Sequence, residues 1–118
     1  GYAAVIPAFK NAVANSEQCT VYGDGTQVRD FIHVSDLVRI IGLTIETDEL
    51  PPELNIASGV GTTLLQLIDI LSESNSDMQA PAFEEERAGD IHTSLADISL
   101  LKSSLEVGDL VGIREGLA

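Results

Sequence analysis

The chain has 118 residues with 19 Asp or Glu against 6 Lys or Arg, which gives a formal net charge of −13. So few cations exclude nucleic acid and an anionic membrane surface as expected partners, and no apolar run reaches the roughly 18 residues of a membrane span. With 44% hydrophobic residues, the length and composition predict one compact domain with a real core.

The first part of the chain carries alternating helix and strand signals. Residues 5–14 have helical periodicity, and Pro7 is tolerable because it lies near the start. Residues 19–22 read as a short strand. Gly-Asp-Gly at 23–25 is typical of a turn, and the alternation over residues 28–34 predicts a second strand.

A longer helix is predicted to follow, with Ser35 as its N-cap and an end near Thr47. Asp36 in the first turn suits the helix dipole. Residues 54–57 then predict a short strand, and residues 58–61 a loop. The apolar stripe of the helix is expected to consist of Leu37, Ile40, Ile41 and Ile45.

The second half adds three further helix signals. Thr63 and Gln66 have the spacing of a capping box, and the helix after them has an apolar stripe of Leu64, Leu67, Ile68 and Leu71. Residues 82–86 look extended and residues 87–90 form a loop. Asp97 is expected to cap a short helix with Ile98, Leu101 and Leu105 inward, and residues 110–118 read as first turns of another. This mixture predicts an α/β or α+β class.

Several residues are expected to be structural. The single Cys19 cannot form an internal disulfide, which suits a cytoplasmic protein, and it is interpreted as a small buried hydrophobe. His33 and His92 lack metal-ligand spacing with each other or with Cys19, so no metal site is predicted. The three glutamates at 84–86 are interpreted as a solvated face.

Two arginines lie beside glycine-rich turns. Arg29 follows the turn within residues 20–31 (TVYGDGTQVRDF), and Arg87 opens an Arg-Ala-Gly-Asp loop. Because a guanidinium offers a planar fork of donors, two converging forks would hold a diphosphate, and Asp90 would accept from a ribose hydroxyl. Composition alone favours the alternative that Arg29 pairs with Asp30 or another nearby carboxylate and Arg87 with its glutamate neighbours.

Residues 21–38 (VYGDGTQVRDFIHVSDLV) closely resemble the extended short-chain dehydrogenase family, which comprises NAD-dependent nucleotide-sugar epimerases and dehydratases, including UDP-glucose 4-epimerases. Other segments resemble the family in the same order along the chain, and they are residues 6–9 (IPAF), 54–59 (LNIASG), 63–68 (TLLQLI), 87–91 (RAGDI), 96–99 (ADIS) and 115–117 (EGL). The resemblance therefore extends over nearly the whole chain.

The resemblance implies roles for individual residues. Arg29 and Arg87 would contact the substrate diphosphate from two sides, and Asp90 would contact the ribose. The segment of Thr20, Val21 and Tyr22 would flank the base, and Asn55 would contact the nucleotide. The residues implied to be scaffold or packing are Asp30, Phe31, His33, Val34 and Asp36.

The family's cofactor-binding Gly-rich turn and Tyr-x-x-x-Lys pair do not appear. The two tyrosines, Tyr2 and Tyr22, have no lysine four residues later. Residues 1–118 thus resemble a single C-terminal nucleotide-sugar-binding domain without the N-terminal NAD-binding Rossmann domain. Its strands would complete a Rossmann-type sheet. NAD is implied for the parent enzyme and none is expected on this chain alone, while a homodimer is an expectation for the parent.

Two other interpretations stay open. One is a non-catalytic nucleotide-sugar-binding or protein-interaction module that retains the fold, which the motifs of the parent gene would distinguish from an enzyme. The other is a truncated piece with no activity of its own. The acidic surface, with Lys10 and Lys102 as its lysines, also suits a salt-loving source or, as readily, an acidic mesophile. Thermal melts at low and high salt would separate these sources.

Overall fold

Helices and short strands are interspersed along the chain, which agrees with the predicted α/β class. The structure, a computed structural model, describes residues 4–118. The helices in this part are α1 (Val5–Ala14), α2 (Val34–Glu46), α3 (Leu64–Glu73), α4 (Ser99–Ser104) and α5 (Ile113–Leu117). The strands are β1 (Thr20–Tyr22), β2 (Val28–Asp30), β3 (Gly61–Thr63), β4 (Ala82–Glu84) and β5 (Thr93–Ser94).

The strands form two small sheets. Strands β1 and β4 are parallel, and Tyr22 lies opposite Glu84 in their register. A parallel pair needs a long crossover connection rather than a tight hairpin, and here the chain between the two strands includes α2 and α3. The other sheet has the order β3-β2-β5. The parallel pairing agrees with the predicted Rossmann-type class.

The chain divides into two compact units. The first contains the residues up to Val28 together with Thr62–Thr93, and the second contains Arg29–Gly61 together with Ser94–Ala118. None of the helices in residues 4–118 combines the length and apolarity that crossing a bilayer requires.

Helix α3 supplies much of the buried surface of the first unit. Its capping box is formed as predicted, because Thr63 Oγ1 accepts from the Gln66 amide at 3.1 Å and Gln66 Oε1 accepts from the Thr63 amide at 2.8 Å. Both bonds satisfy amides that would otherwise lack partners at the helix start. The predicted apolar stripe is buried in full, and its members are Leu64, Leu67, Ile68 and Leu71.

Cys19 is confirmed as a buried hydrophobe of the first unit, with 1% of its surface exposed. Its Sγ lies 3.8 Å from the carbonyl oxygen of Phe9, which is also buried. Burial raises the pKa of the Cys19 thiol. The thiol is therefore kept in its uncharged form and packs as a small apolar side chain.

The core of the second unit surrounds Ile40 of α2. The inward-facing residues predicted for α4 are confirmed, since Ile98, Leu101 and Leu105 are all buried in this cluster. The N-cap of α4 is Ile98 and not Asp97 as predicted, but the Asp97 Oδ1 accepts from the amide of Ser99, the first helical residue, at 2.9 Å. Helix α4 is thus fixed both by its apolar face and by a carboxylate at its positive end.

Strand β2 is shorter than predicted and ends at Asp30 instead of residue 34. Residues 31–33 lead directly into α2, and His33 rather than Ser35 is its N-cap. The His33 Nδ1 accepts from the Ser35 amide at 3.2 Å and lies 2.7 Å from the Ser35 hydroxyl. The ring also packs against α5, where a Cβ on Gly116 would lie 3.0 Å from it. His33 therefore has the predicted packing role and also caps the helix.

Two further predictions for the second unit are wrong. Residues 54–57 form no strand. Ile41 and Ile45 are 42% and 79% exposed, whereas Ile40 is fully buried. Because successive helical residues are offset by about 100°, Ile41 and Ile45 lie roughly 100° and 140° around the axis from Ile40. They share an exposed face with Val34 and Val38, so Val34 is not interior scaffold.

Candidate functional site

The turn after β1 is built around two glycines with positive φ. Gly23 has φ +97° and Gly25 has φ +82°, a region in which L-residues with side chains are strained. A Cβ on Gly25 would lie 2.7 Å from the side chain of Leu65. The predicted turn therefore needs glycine both for its backbone conformation and for its close approach to α3.

Asp24 and Thr26 close this turn. The Asp24 Oδ1 accepts from the Thr26 amide at 3.0 Å and from the Thr26 hydroxyl at 2.6 Å. These hydrogen bonds to Thr26 lower the pKa of the Asp24 carboxyl from its ordinary 3.8. The carboxylate form is thus the form that the turn stabilises.

We expect Thr26→Val to raise the pKa of Asp24 toward 3.8, because it removes the hydroxyl donor. A carboxyl whose pKa is depressed on folding adds stability above its unfolded pKa, and that stability is lost as the pH falls through the folded pKa. Carboxyl chemical shifts recorded by NMR between pH 2 and 6 measure the change. Ser99→Ala is the control, since Ser99 lowers the pKa of Asp97 in the same way and should leave Asp24 unaffected. An unchanged Asp24 titration in Thr26→Val would contradict the assignment.

A buried glutamine holds the end of β1 in place. Gln27 is 7% exposed, and its Nε2 donates to the carbonyl oxygen of Tyr22 at 2.8 Å. The amide of Gly23 donates to the carbonyl of Glu84 at 2.9 Å, which continues the pairing of β1 with β4 by one residue. Tyr22 is therefore fixed through its own carbonyl and through the strand beside it.

The Arg-Ala-Gly-Asp loop begins three residues after the end of β4. The amide of Asp90 donates to the carbonyl of Arg87 at 3.1 Å, and Gly89 adopts φ +79°. All four residues are exposed. The predicted loop is thus a tight turn that presents Arg87 and Asp90 to solvent.

The side chain of Arg87 lies over the ring of Tyr22, with Cζ 3.8 Å from the ring centroid. No ion pair between Arg87 and a carboxylate occurs in residues 4–118, although Glu84, Glu85 and Glu86 lie nearby in the sequence. The alternative in which those glutamates neutralise Arg87 is therefore not what the structure shows. The charged group instead rests on an aromatic face at the carboxyl end of a parallel strand pair.

The residue that follows the loop by two positions, His92, also holds it against the segment between β1 and β2. The carbonyl oxygen of His92 accepts from the Val28 amide at 2.7 Å, and the His92 Nε2 lies 3.1 Å from the Thr26 hydroxyl. Both ends of the Arg87–Asp90 loop thus meet the β1–β2 segment. The sequence does not predict this contact, because no local pattern links two residues that lie 66 positions apart.

In the second unit, the Asp30 carboxylate organises the loop that follows residues 54–57. It accepts from the Ser58 amide at 2.9 Å, the Ser58 hydroxyl at 2.5 Å and the Gly59 amide at 2.9 Å. Arg29 precedes it on β2 and is half-buried, and Asn55 is exposed. Asp30 therefore has the structural role predicted for it.

Asp36 is also structural. It is 4% exposed, and its Oδ2 accepts from the Val111 amide at 2.8 Å while its Oδ1 pairs with Arg39 at 3.2 Å. Phe31, expected to be interior, is half-buried. The scaffold assignment therefore holds fully for Asp36 and in part for Phe31.

The predicted binding residues fall in both units. The first unit contains Thr20, Val21, Tyr22, Arg87 and Asp90, and the second contains Arg29 and Asn55. Val21 is fully buried, backbone included, while Thr20 is exposed. The contact of Arg29 and Arg87 with one diphosphate stays a prediction. Tyr2 lies outside the described residues.

The described residues do not fit a dinucleotide cofactor. Its phosphate-binding turn needs glycines between a strand and the following helix. Here β2 is followed by Phe31-Ile32-His33, and β3 runs into α3 without an intervening loop. Residues 4–118 also contain no cluster of three or more His, Cys, Asp or Glu side chains suited to a metal ion.

Comparisons with known proteins agree with this arrangement. The model of the NAD dependent epimerase/dehydratase family matches residues 2–57. UDP-glucuronic acid decarboxylase 1 of Arabidopsis thaliana is 33% identical over 113 residues, which cover 96% of this chain and 26% of that protein. The chain belongs to the NAD-dependent epimerase/dehydratase family. The family's cofactor is NAD.

Solved structures of UDP-sugar epimerases have the same fold as this family member. UDP-N-acetylglucosamine 4-epimerase from Methanobrevibacter ruminantium M1, in complex with UDP-N-acetylmuramic acid, is 39% identical with a TM-score of 0.90. The match covers 98% of this chain and 37% of that one. UDP-glucose 4-epimerase from Thermotoga maritima, in a structure with UDP-glucose, is 34% identical with a TM-score of 0.88. This match covers 99% of this chain and 38% of that one. The chain thus spans little more than a third of these proteins.

Proposed function

We propose that the chain is the substrate-binding portion of an NAD-dependent nucleotide-sugar epimerase or dehydratase, with a UDP-glucose 4-epimerase-like parent. The observation that carries the proposal is the Arg87 guanidinium, which rests on Tyr22 without a carboxylate partner in the described part of the chain. The protein has a net charge of −13, and yet Arg87 forms no ion pair with the glutamates that precede it in the sequence. Its guanidinium is therefore suited to bind an external anion. A diphosphate offers the oxygen pairs that a guanidinium binds best.

The loop that holds Arg87 also suits a nucleotide. Asp90 lies three residues away on the same exposed turn, where a carboxylate can accept from a sugar hydroxyl. Parallel α/β sheets bind ligands beyond the carboxyl ends of their strands. The Arg87–Asp90 loop follows the carboxyl end of β4, which lies beside the carboxyl end of β1. Two solved structures of similar epimerases contain a UDP-sugar.

The proposed contribution of this chain is anchoring rather than proton or hydride transfer. The Gly-rich turn and the Tyr-x-x-x-Lys pair are absent from its sequence, so its own residues supply binding energy. Holding the nucleotide, which is remote from the reacting sugar, fixes the sugar for reaction. We also propose that the parent protein is cytoplasmic and forms a homodimer.

Isothermal titration of the 118-residue chain with UDP, UMP and uridine at fixed ionic strength tests the proposal. We expect UDP to bind at least about 10-fold more tightly than uridine, because a charge-assisted contact contributes roughly 1.5–3 kcal/mol. Inorganic pyrophosphate should compete with UDP. Titration with dTDP, which differs from UDP in the thymine methyl group and in lacking the ribose 2′-hydroxyl, tests discrimination of base and sugar together. Absent UDP binding, or equal affinity for UDP and uridine, would overturn the proposal.

A further inference from the structure

We propose that His92 is a positioning residue, whose ring donates a hydrogen bond to Thr26 and so holds the exposed Arg87–Asp90 loop in the orientation that binds the nucleotide diphosphate. This inference rests on the proposed function and adds a residue to the same site. The observation behind it is the 3.1 Å separation between His92 Nε2 and Thr26 Oγ1, taken together with the protons that the neighbouring side chains can share.

The loop needs an attachment of this kind because burial does not hold it. Residues 83–95 are all exposed, so no side chain of this stretch is anchored in a core. The Val28 amide donates to the His92 carbonyl at 2.7 Å, which fixes the backbone two residues beyond Asp90. One backbone bond at an exposed position still lets the segment turn about it. A second contact from the same residue, through its ring, removes that motion before a ligand arrives and lowers the ordering cost of binding.

The direction of the hydrogen bond between His92 and Thr26 follows from the protons available. The Thr26 hydroxyl donates its single proton to Asp24 Oδ1 at 2.6 Å, because a carboxylate offers only acceptors. The Thr26 oxygen can therefore only accept from His92, so the His92 Nε2 carries a proton. In the neutral ring Nδ1 is then an acceptor, and the Thr93 hydroxyl lies 3.0 Å from it. Both ring nitrogens thus have a partner of the matching kind.

Asp24 extends this contact into a series of hydrogen bonds from the turn after β1 to the loop. The bond from the Thr26 hydroxyl is the largest cause that lowers the pKa of the Asp24 carboxyl, and the charge of His92 lowers this pKa further. A hydroxyl that donates to a carboxylate becomes a better acceptor, because hydrogen bonds in series polarise one another. The Asp24 carboxylate therefore strengthens the bond that holds His92 and, through His92, the loop.

Isothermal titration of the full 118-residue chain and its variants with UDP tests the inference. We expect His92→Leu and Thr26→Val each to weaken UDP binding about 2- to 5-fold, because a looser loop is competent to bind for a smaller fraction of the time. The double variant should bind no more weakly than Thr26→Val alone, since both substitutions remove the same contact. His92→Gln, whose amide can donate in place of Nε2, and Thr26→Ser, which keeps the hydroxyl, should restore the wild-type affinity.

Thr44→Val is the matched control, because the Thr44 hydroxyl donates to the Ile41 carbonyl within α2 and its loss should leave UDP binding unchanged. Two results would overturn the positioning role: wild-type UDP affinity in folded His92→Leu, or losses that add in the double variant. A wild-type chain that binds no UDP would instead remove the proposed function, so the two failures are distinguishable.

The imidazole ¹⁵N resonances of the wild type give a second measurement, which needs neither a variant nor a nucleotide. We expect the His92 ring to be protonated at Nε2, since the Thr26 oxygen has no proton to donate to it. A neutral ring protonated at Nδ1 alone would contradict the direction of the bond and overturn the inference.

Discussion

Replacing Arg87 with alanine should weaken UDP binding by about 10- to 100-fold. The substitution removes a planar pair of donors from the diphosphate, and a charge-assisted hydrogen-bonding contact is worth roughly 1.5–3 kcal/mol. Stability should change little, within about 0.5 kcal/mol, because the side chain is exposed and has no ion pair in residues 4–118. Isothermal titration and urea unfolding measure the two quantities.

Lys10→Ala is the matched control for charge. Lys10 is exposed on α1 of the same unit, so the variant loses one positive charge as Arg87→Ala does. Arg87→Lys should recover only part of the affinity, since an ammonium cannot bind two oxygens in parallel. An equal effect of Lys10→Ala and Arg87→Ala would indicate general electrostatic attraction and would contradict a specific contact.

The limits of α1 and the capping box of α3 were predictable, because short-range chemistry sets them. The bounds of α1 match the predicted residues 5–14, and the capping box of Thr63 and Gln66 forms as expected. Both depend on residues within one turn of each other. Strand β2, in contrast, ends at Asp30, whose carboxylate binds a loop 28 residues away. Alternation of apolar residues carries no information about such a distant partner.

The buried face of α2 shows a related limit. Its apolar residues occupy more than one face, and the sequence does not say which face packs inside the unit. Ile40 and Leu43 join the core cluster, while Ile41 and Ile45 stay exposed.

For the candidate site, the loop from Arg87 to Asp90 forms as predicted, and the binding roles of these two residues stay predictions. The hydrogen bonds that hold the neighbouring segments in place were not predicted. Gln27 and His92 hold the segments on either side through a backbone carbonyl and a threonine hydroxyl. Such bonds depend on the register of β1 with β4, which strand signals three to five residues long do not fix.

Asp30→Ala should destabilise the chain by about 3 kcal/mol, the largest stability loss that we expect from a single polar substitution here. Its carboxylate accepts three hydrogen bonds from Ser58 and Gly59, and bonds to charged acceptors contribute roughly 1.5–3 kcal/mol each before exposure reduces them. Gly59 has φ +72°, and a Cβ there would lie 2.8 Å from Ile98, so the loop is closely packed on the core of the second unit. Urea unfolding measures the loss.

Two variants separate the carboxylate's role from a general effect of substitution. Ser58→Ala removes one of the three donors and should cost about 1 kcal/mol. Asp30→Asn keeps one acceptor oxygen but turns the other position into a donor, which would face the Gly59 or Ser58 amide, so its cost should lie between the other two. If Asp30→Ala cost no more than Ser58→Ala, the two backbone amides would contribute nothing. The loop would then be held by its packing on Ile98 alone.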